Sequence, residues 1–292
     1  MDFLTGLRQR TLLFDGAMGT QLIAAGYRSQ ECPEEWNVSN ADVVAGIHRA
    51  YFAAGSDIVQ TNTFGGTQPK LAHYRCGERV EELNLAAAHL ATAVRDEVAP
   101  DGLVAGEISA TGVLLKPMGD GDPHELRDHF AEQAEALARG GVDLFSIETM
   151  FDLEEARAAV SGVRAVSDLP VMATLTFKPS AKGYRTMTGV TPAAAATALL
   201  ELGANVVGAN CSITADEMVG LVDEFRDATD TPLIFQPNAG QPRLQEGHTV
   251  YDETPAHFAE VVAQFAARGA AVVGGCCGTT PEHIAALRAA LA

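Results

Sequence analysis

A chain of 292 residues, 47% hydrophobic and 20% charged, has the balance of a globular protein and the length for one large α/β domain or two small ones. A formal net charge of −18, from 38 acidic against 20 basic residues, speaks against duplex nucleic acid as a partner. No apolar run approaches the ~18 residues of a membrane span, the N-terminus lacks a signal-peptide pattern, and five cysteines, an odd number, suit a reducing cytoplasm better than a disulfide framework.

Eight short apolar runs punctuate the chain: Thr11–Phe14, Asp57–Gln60, Leu103–Ala105, Leu144–Ile147, Val171–Thr176, Asn205–Ala209, Leu233–Phe235 and Ala271–Val273. Most lack polar alternation, as strands of a parallel sheet covered on both faces do. Amphipathic stretches lie between them; in Pro123–Arg139, Leu126, Phe130, Ala134 and Leu137 recur at helical steps. Asp122-Pro123, Thr191-Pro192, Thr214 with Glu217, Thr254-Pro255 and Thr280-Pro281 each read as an N-cap at a helix start. No Pro/Gly/Ser linker divides the series, so residues 1–292 are expected to form one (β/α)₈ barrel domain rather than an open doubly wound sheet.

In such a barrel the functional residues stand at the C-terminal strand ends. Those positions are Asp15-Gly16, Thr61-Asn62, Glu107, Glu148-Thr149, Thr176-Phe177, Cys211, Gln236-Pro237-Asn238 and Cys276-Cys277. Cys32 and Cys76 fall outside the pattern and read as small buried hydrophobes. Cys211, Cys276 and Cys277 do not, because adjacent cysteines rarely close an unstrained disulfide. Three thiolates aimed at one point make a zinc site with a fourth position open, and a metal there can take the proton from an incoming thiol.

Asp15 and Glu148 face the same mouth. A lone strand-end carboxylate is as often a capping or salt-bridge partner, but a pair can clamp an α-ammonium. The amides of Gly16–Thr20 and the Thr61 hydroxyl are placed for an α-carboxylate. An amino acid with a side-chain thiol satisfies all of these groups, and homocysteine is one. Two rival motifs are weaker. The glycine-rich turn Gly274–Thr280 could take a phosphate, though that chemistry needs no cysteine pair. Lys178 could form a Schiff base, but its loop setting beside Pro179 suits a solvated lysine.

These residues carry a resemblance. Phe14-Asp15-Gly16-Ala17-Met18-Gly19-Thr20, Gln60-Thr61-Asn62-Thr63-Phe64, Ile147-Glu148-Thr149, Gly208-Ala209-Asn210-Cys211, Gln236-Pro237-Asn238-Ala239-Gly240 and Gly274-Gly275-Cys276-Cys277-Gly278-Thr279-Thr280 are similar to the zinc-dependent homocysteine S-methyltransferase family along nearly the whole chain. The resemblance implies a (β/α)₈ barrel with Cys211, Cys276 and Cys277 as Zn²⁺ ligands. It implies homocysteine contacts at Asp15, Gly16, Thr61 and Glu148, and an Asn238 that fills the open metal position until substrate displaces it. Pro237–Gly240 is similar to the homocysteine-binding module of cobalamin-dependent methionine synthases. Betaine-dependent members surround their donor with aromatics; here Gly65 and Thr149 occupy two of those positions and Trp36 alone remains, which disfavours betaine. Glu107 departs from the family's usual non-acidic residue.

The expected reaction is methyl transfer to the homocysteine thiol, giving methionine, from a methylcorrinoid, S-methylmethionine or another onium donor. Because the sequence ends after the eighth helix, a methylcorrinoid would come on a separate protein. The alternatives are a non-catalytic homocysteine- or zinc-binding subunit and a Lys178 lyase.

Overall fold

The computed structural model describes residues 2–28, 30–245 and 248–292. Eight strands form the central sheet: β1 (Leu12–Leu13), β2 (Ile58–Gln60), β3 (Leu103–Ser109), β4 (Leu144–Met150), β5 (Val171–Leu175), β6 (Val206–Thr214), β7 (Leu233–Asn238) and β8 (Ala270–Val273). Every neighbouring pair is parallel, in the order β1-β8-β7-β6-β5-β4-β3-β2. The two ends meet where Phe14 bridges Ile58 and the Asp57 N–H donates to the Leu13 carbonyl at 2.7 Å. The Asp57 carboxylate fastens that seam, accepting from the Leu13 N–H at 2.8 Å and from Arg10 and Arg288. The result is a (β/α)₈ barrel, as the alternation of runs and caps predicts.

The expected helix starts hold. Asp122, Thr191 and Thr254 each accept a backbone N–H of the first turn, from His124, Ala194 and His257. Thr214 and Glu217 form a reciprocal capping box. Among the described residues no helix is long and apolar enough to cross a membrane.

The strand period of two sorts the core. Leu12, Phe14, Ile58, Leu103, Leu144, Met172, Val206, Ile234 and Val272 pack together inside the barrel, with Phe3 of the N-terminal turn against them. Leu13, Val59, Val104, Phe145, Ile147, Val207, Phe235 and Val273 point outward to the helices. Higher up, the inward positions turn polar: Gln60, Glu107, Ser109, Ser146, Glu148, Thr174, Asn210 and Gln236 are all buried.

Four strands run further than their apolar runs. β3 continues to Ser109, β4 to Met150, β6 to Thr214 and β7 to Asn238. Their last turns carry the inward polar residues, which interrupt the hydrophobic pattern without interrupting the ladder. Two short antiparallel hairpins also go beyond the sequence reading: Lys178–Ser180 with Gly183–Arg185, and Arg243–Gln245 with His248–Val250.

Candidate functional site

The three strand-end cysteines converge. One sulfur from each of Cys211, Cys276 and Cys277 lies within 4.8 Å of the others, and all three residues are half-buried at the barrel mouth. Cys211 Sγ and Cys277 Sγ are 3.8 Å apart, too far for a disulfide and about the edge of a tetrahedron with ~2.3 Å metal–sulfur bonds. Hydrogen bonds from the Cys211 and Cys276 thiols hold Cys277 well below the usual thiol range, while hydrogen bonding to Cys211 and Cys277, with burial, pushes Cys276 up. The Asn238 Oδ1, buried one strand away, has no hydrogen-bond partner. A soft donor set with an orphaned amide oxygen beside it fits a tetrahedral zinc ion.

Backbone geometry produces this convergence. Cys211 and Ser212 have positive φ, 59° and 67°, and the β6–β7 register shifts between Asn210 and Thr214. Thr149 has φ 56°, where the β4–β5 register shifts between Ile147 and Met150. A β-branched residue in the left-handed region is costly and persists only where surrounding bonds over-determine it. On the opposite side, Cys276 N–H donates to the Pro237 carbonyl at 2.8 Å and Ala239 N–H to the Cys277 carbonyl at 2.9 Å, so the cysteine pair is stitched to the end of β7.

Below the thiols lie three carboxyl groups with little or no exposure. The Gln60 N–H donates to Asp15 Oδ2 at 2.9 Å, while Asp15 Oδ1 and Glu107 Oε2 are buried without partners. Burial, with Glu148 and Asp15 close by, pushes the Glu107 carboxyl well above the carboxylate range. Burial raises Asp15 likewise against the Gln60 bond, and Glu148 adds to it. Glu148 is pushed up to about 7 by burial, with a hydrogen bond from Glu107 opposing. Burial thus disfavours ionisation of all three, and leaves orphaned oxygens that a cationic head group would satisfy.

Gly16 sits where a Cβ would come within 2.6 Å of Thr279 Oγ1, so only glycine lets the chain approach. Thr279 Oγ1 accepts from Ala17 N–H at 3.0 Å and donates to the Cys276 carbonyl at 2.7 Å, joining the first strand's turn to the cysteine turn. The buried Thr61 hydroxyl accepts from Glu107 N–H at 3.0 Å and meets Thr63 Oγ1 at 2.6 Å, so it is engaged within the protein. Lys178 is exposed on its hairpin, and Cys32 and Cys76 lie in an apolar cluster with Leu71, Val80 and Leu83. Trp36 is packed in the core, edge-on to Tyr27 at 5.8 Å.

Asn210, Gln60 and Thr279 lie within the sequence motifs and Thr174 within a strand run, none of them with a role assigned from sequence, and the sequence does not single out Tyr251. The Tyr251 ring lies over Gly278, where a Cβ would fall 2.2 Å from it, and its hydroxyl is raised by burial and by the neighbouring Cys277. Asn210 and Gln60 stand beside motif residues and were legible as inward strand positions. Tyr251 is brought over the thiols only by the second hairpin.

Fold and site together define a (β/α)₈ barrel with a trio of thiols and buried carboxyls at its mouth. Residues 12–291 match the family model described as homocysteine S-methyltransferase, and the chain belongs to that family. It is 37% identical over 306 aligned positions to methionine synthase of Mycobacterium tuberculosis and 36% to that of Mycobacterium leprae. All of this chain is covered, but it spans only 25% of each of those proteins. Among solved structures, the homocysteine methyltransferase MmuM from Escherichia coli in its metallated form superposes with a TM-score of 0.78 at 24% identity, covering 97% of this chain and 96% of that one. Its oxidised form gives 0.82 at 25% identity, covering 98% of each.

Proposed function

We propose that this protein transfers a methyl group to the thiol of homocysteine, giving methionine, with Cys211, Cys276 and Cys277 holding a zinc ion. The observation that carries the reading is the convergence of three sulfurs at the same barrel mouth as buried carboxyls with unpartnered oxygens. Zinc bound there would supply a Lewis acid that ionises the substrate thiol near neutral pH, where a free thiol of pKa ~8.5 is mostly protonated.

The chain's own residues do the rest. Asp15 and Glu148 receive the α-ammonium, whose positive charge draws protons off the pocket and restores the carboxylates. The close turn at Gly16 lets backbone amides approach the α-carboxylate, beside Thr61. With the amino-acid end held, the side-chain sulfur would be directed toward a metal held by the three cysteines, and Asn238, at the end of the strand between them, would give way to it. Orientation of this kind turns an encounter into an in-line attack on the methyl group. Glu107, whose ionisation burial disfavours, lies close to Glu148 and limits the charge that must be buried.

For the donor we favour a methylcorrinoid presented by a carrier protein. The similarity of Pro237–Gly240 to the homocysteine-binding module of cobalamin-dependent methionine synthases supports this, as does the surface around the mouth. Phe64, Leu114, Met118, Phe151 and Met187 are exposed on the loops after β2, β3, β4 and β5, the face onto which the thiols open. An apolar rim suits a large docking partner better than a small onium ion. With Trp36 turned into the core, the aromatic enclosure for betaine is not assembled from it.

A donor panel tests the proposal. Zinc-loaded protein and homocysteine are incubated with methylcobalamin, S-methylmethionine, betaine or a sulfonium donor, and methionine is measured. Methionine formed with methylcobalamin and lost on chelation is expected. Binding of homocysteine with no methionine from any donor would identify a non-catalytic binding subunit instead.

A further inference from the structure

Asn210 is fully buried on β6, directly before Cys211, and every hydrogen-bonding valence of its amide is used. Its Oδ1 accepts from Thr149 N–H at 2.8 Å and from Thr174 Oγ1 at 2.7 Å. Its Nδ2 donates to Thr149 Oγ1 at 2.7 Å and to Cys276 Sγ at 3.7 Å. The Thr149 bond fixes which way the amide faces: a backbone N–H can only donate, so the oxygen must point to it and the NH₂ must point to the sulfur.

One side chain thus links four strands at the level of the site. It touches the residue after Glu148 on β4, reaches Thr174 on β5, precedes a thiol on β6, and bonds a second thiol beyond β8. The two left-handed non-glycine kinks of the site, at Thr149 and at Cys211–Ser212, lie on either side of it. An N–H donor aimed at a sulfur favours the ionised, metal-ligating form and fixes its direction, as outer partners of metal ligands do.

We infer that Asn210 is a positioning residue for both halves of the site, setting the turn that carries Glu148 and the sulfur of Cys276 through one amide. The inference rests on the zinc-and-homocysteine reading above. Its consequence is that metal affinity and substrate affinity change together when that amide is altered, although Asn210 itself touches neither group in this arrangement.

The test uses the full chain with three measurements: zinc affinity by competition with a chromogenic chelator, the sulfur-to-cobalt charge-transfer band after Co²⁺ substitution, and homocysteine binding by calorimetry. Asn210→Asp keeps both acceptor bonds, loses both donor bonds and sets a carboxylate beside Cys276. Zinc affinity is expected to fall ~10–100-fold, with a shifted charge-transfer band and weaker homocysteine binding. Should that variant fail to fold, Thr174→Val removes one bond to Oδ1 from a side chain that meets neither thiol nor carboxyl, and a smaller loss in both affinities is expected. Unchanged affinities, a fall in only one of them, or a lower melting temperature alone would overturn the inference. If the parent chain binds neither zinc nor homocysteine, the proposed function has failed first, and that is seen before any variant is made.

Discussion

Glu148 and Glu107 stand on adjacent strands, turned into the same polar interior, with Glu148 raised to about 7 by burial and Glu107 pushed well above the carboxylate range by burial and by Glu148. If the ionised Glu148 clamps the ammonium, homocysteine affinity should rise as pH increases through 7 and level off above it. Glu148→Gln should weaken binding and remove that inflection, which calorimetry across pH 6 to 8 (our chosen window, roughly one unit either side) would read. The sign for stability is opposite. A buried carboxyl whose folded pKa is raised binds more protons folded than unfolded, so its contribution is present at low pH and lost as pH rises through the folded value. The ligand-free protein should therefore melt at lower temperature at pH 8 than at pH 5, and Glu107→Gln should reduce the difference. At the thiols, Cys211→Ser or Cys277→Ser should cost more zinc affinity than the ~10–100-fold typical of an outer partner, measured by metal analysis after dialysis.

At the scale of elements, strand ends decide where chemistry sits and glycines decide how closely elements meet. A Cβ at Gly208 would lie 1.8 Å from the Ile234 carbonyl oxygen on the neighbouring strand. Gly208→Ala should consequently separate β6 from β7 and destabilise by ~4 kcal/mol or more, seen as insolubility or a large fall in Tm. Thr191→Ala removes only the cap that Ala194 N–H uses and should cost ~1 kcal/mol with the site untouched. The apolar runs located all eight strands, and Thr and Asp before proline located helix starts, because both signals are local. The outer turns of β3, β4, β6 and β7 were not visible as strand. Glu107, Ser109, Glu148, Asn210 and Gln236 face the barrel interior, and a polar residue facing inward reads along the chain like the beginning of a loop. The two hairpins escaped for a related reason: three-residue arms leave no usable alternation.

Over the whole molecule, the apolar layers and the site are separate: the lower interior is closed by apolar residues, whereas the thiols sit half-buried at the mouth. Removing metal with a chelator should abolish methyl transfer and weaken homocysteine binding while far-ultraviolet circular dichroism stays that of the barrel. Loss of the fold on chelation would contradict that separation. By itself the sequence determined the closed parallel barrel, the three cysteines at strand ends and the carboxyls sharing their mouth, since each is written in residues whose spacing tracks the βα repeat. Only the tertiary structure decided that the sulfurs meet within 4.8 Å, that the Thr61 hydroxyl is engaged by Thr63 and Glu107, and that one amide at Asn210 spans the site. Most of those relations join residues on different strands, and the Asn210 bonds to Thr149 and Cys276 span 61 and 66 positions through kinked backbone. Their distances are set by how the closed barrel packs, which no local pattern encodes.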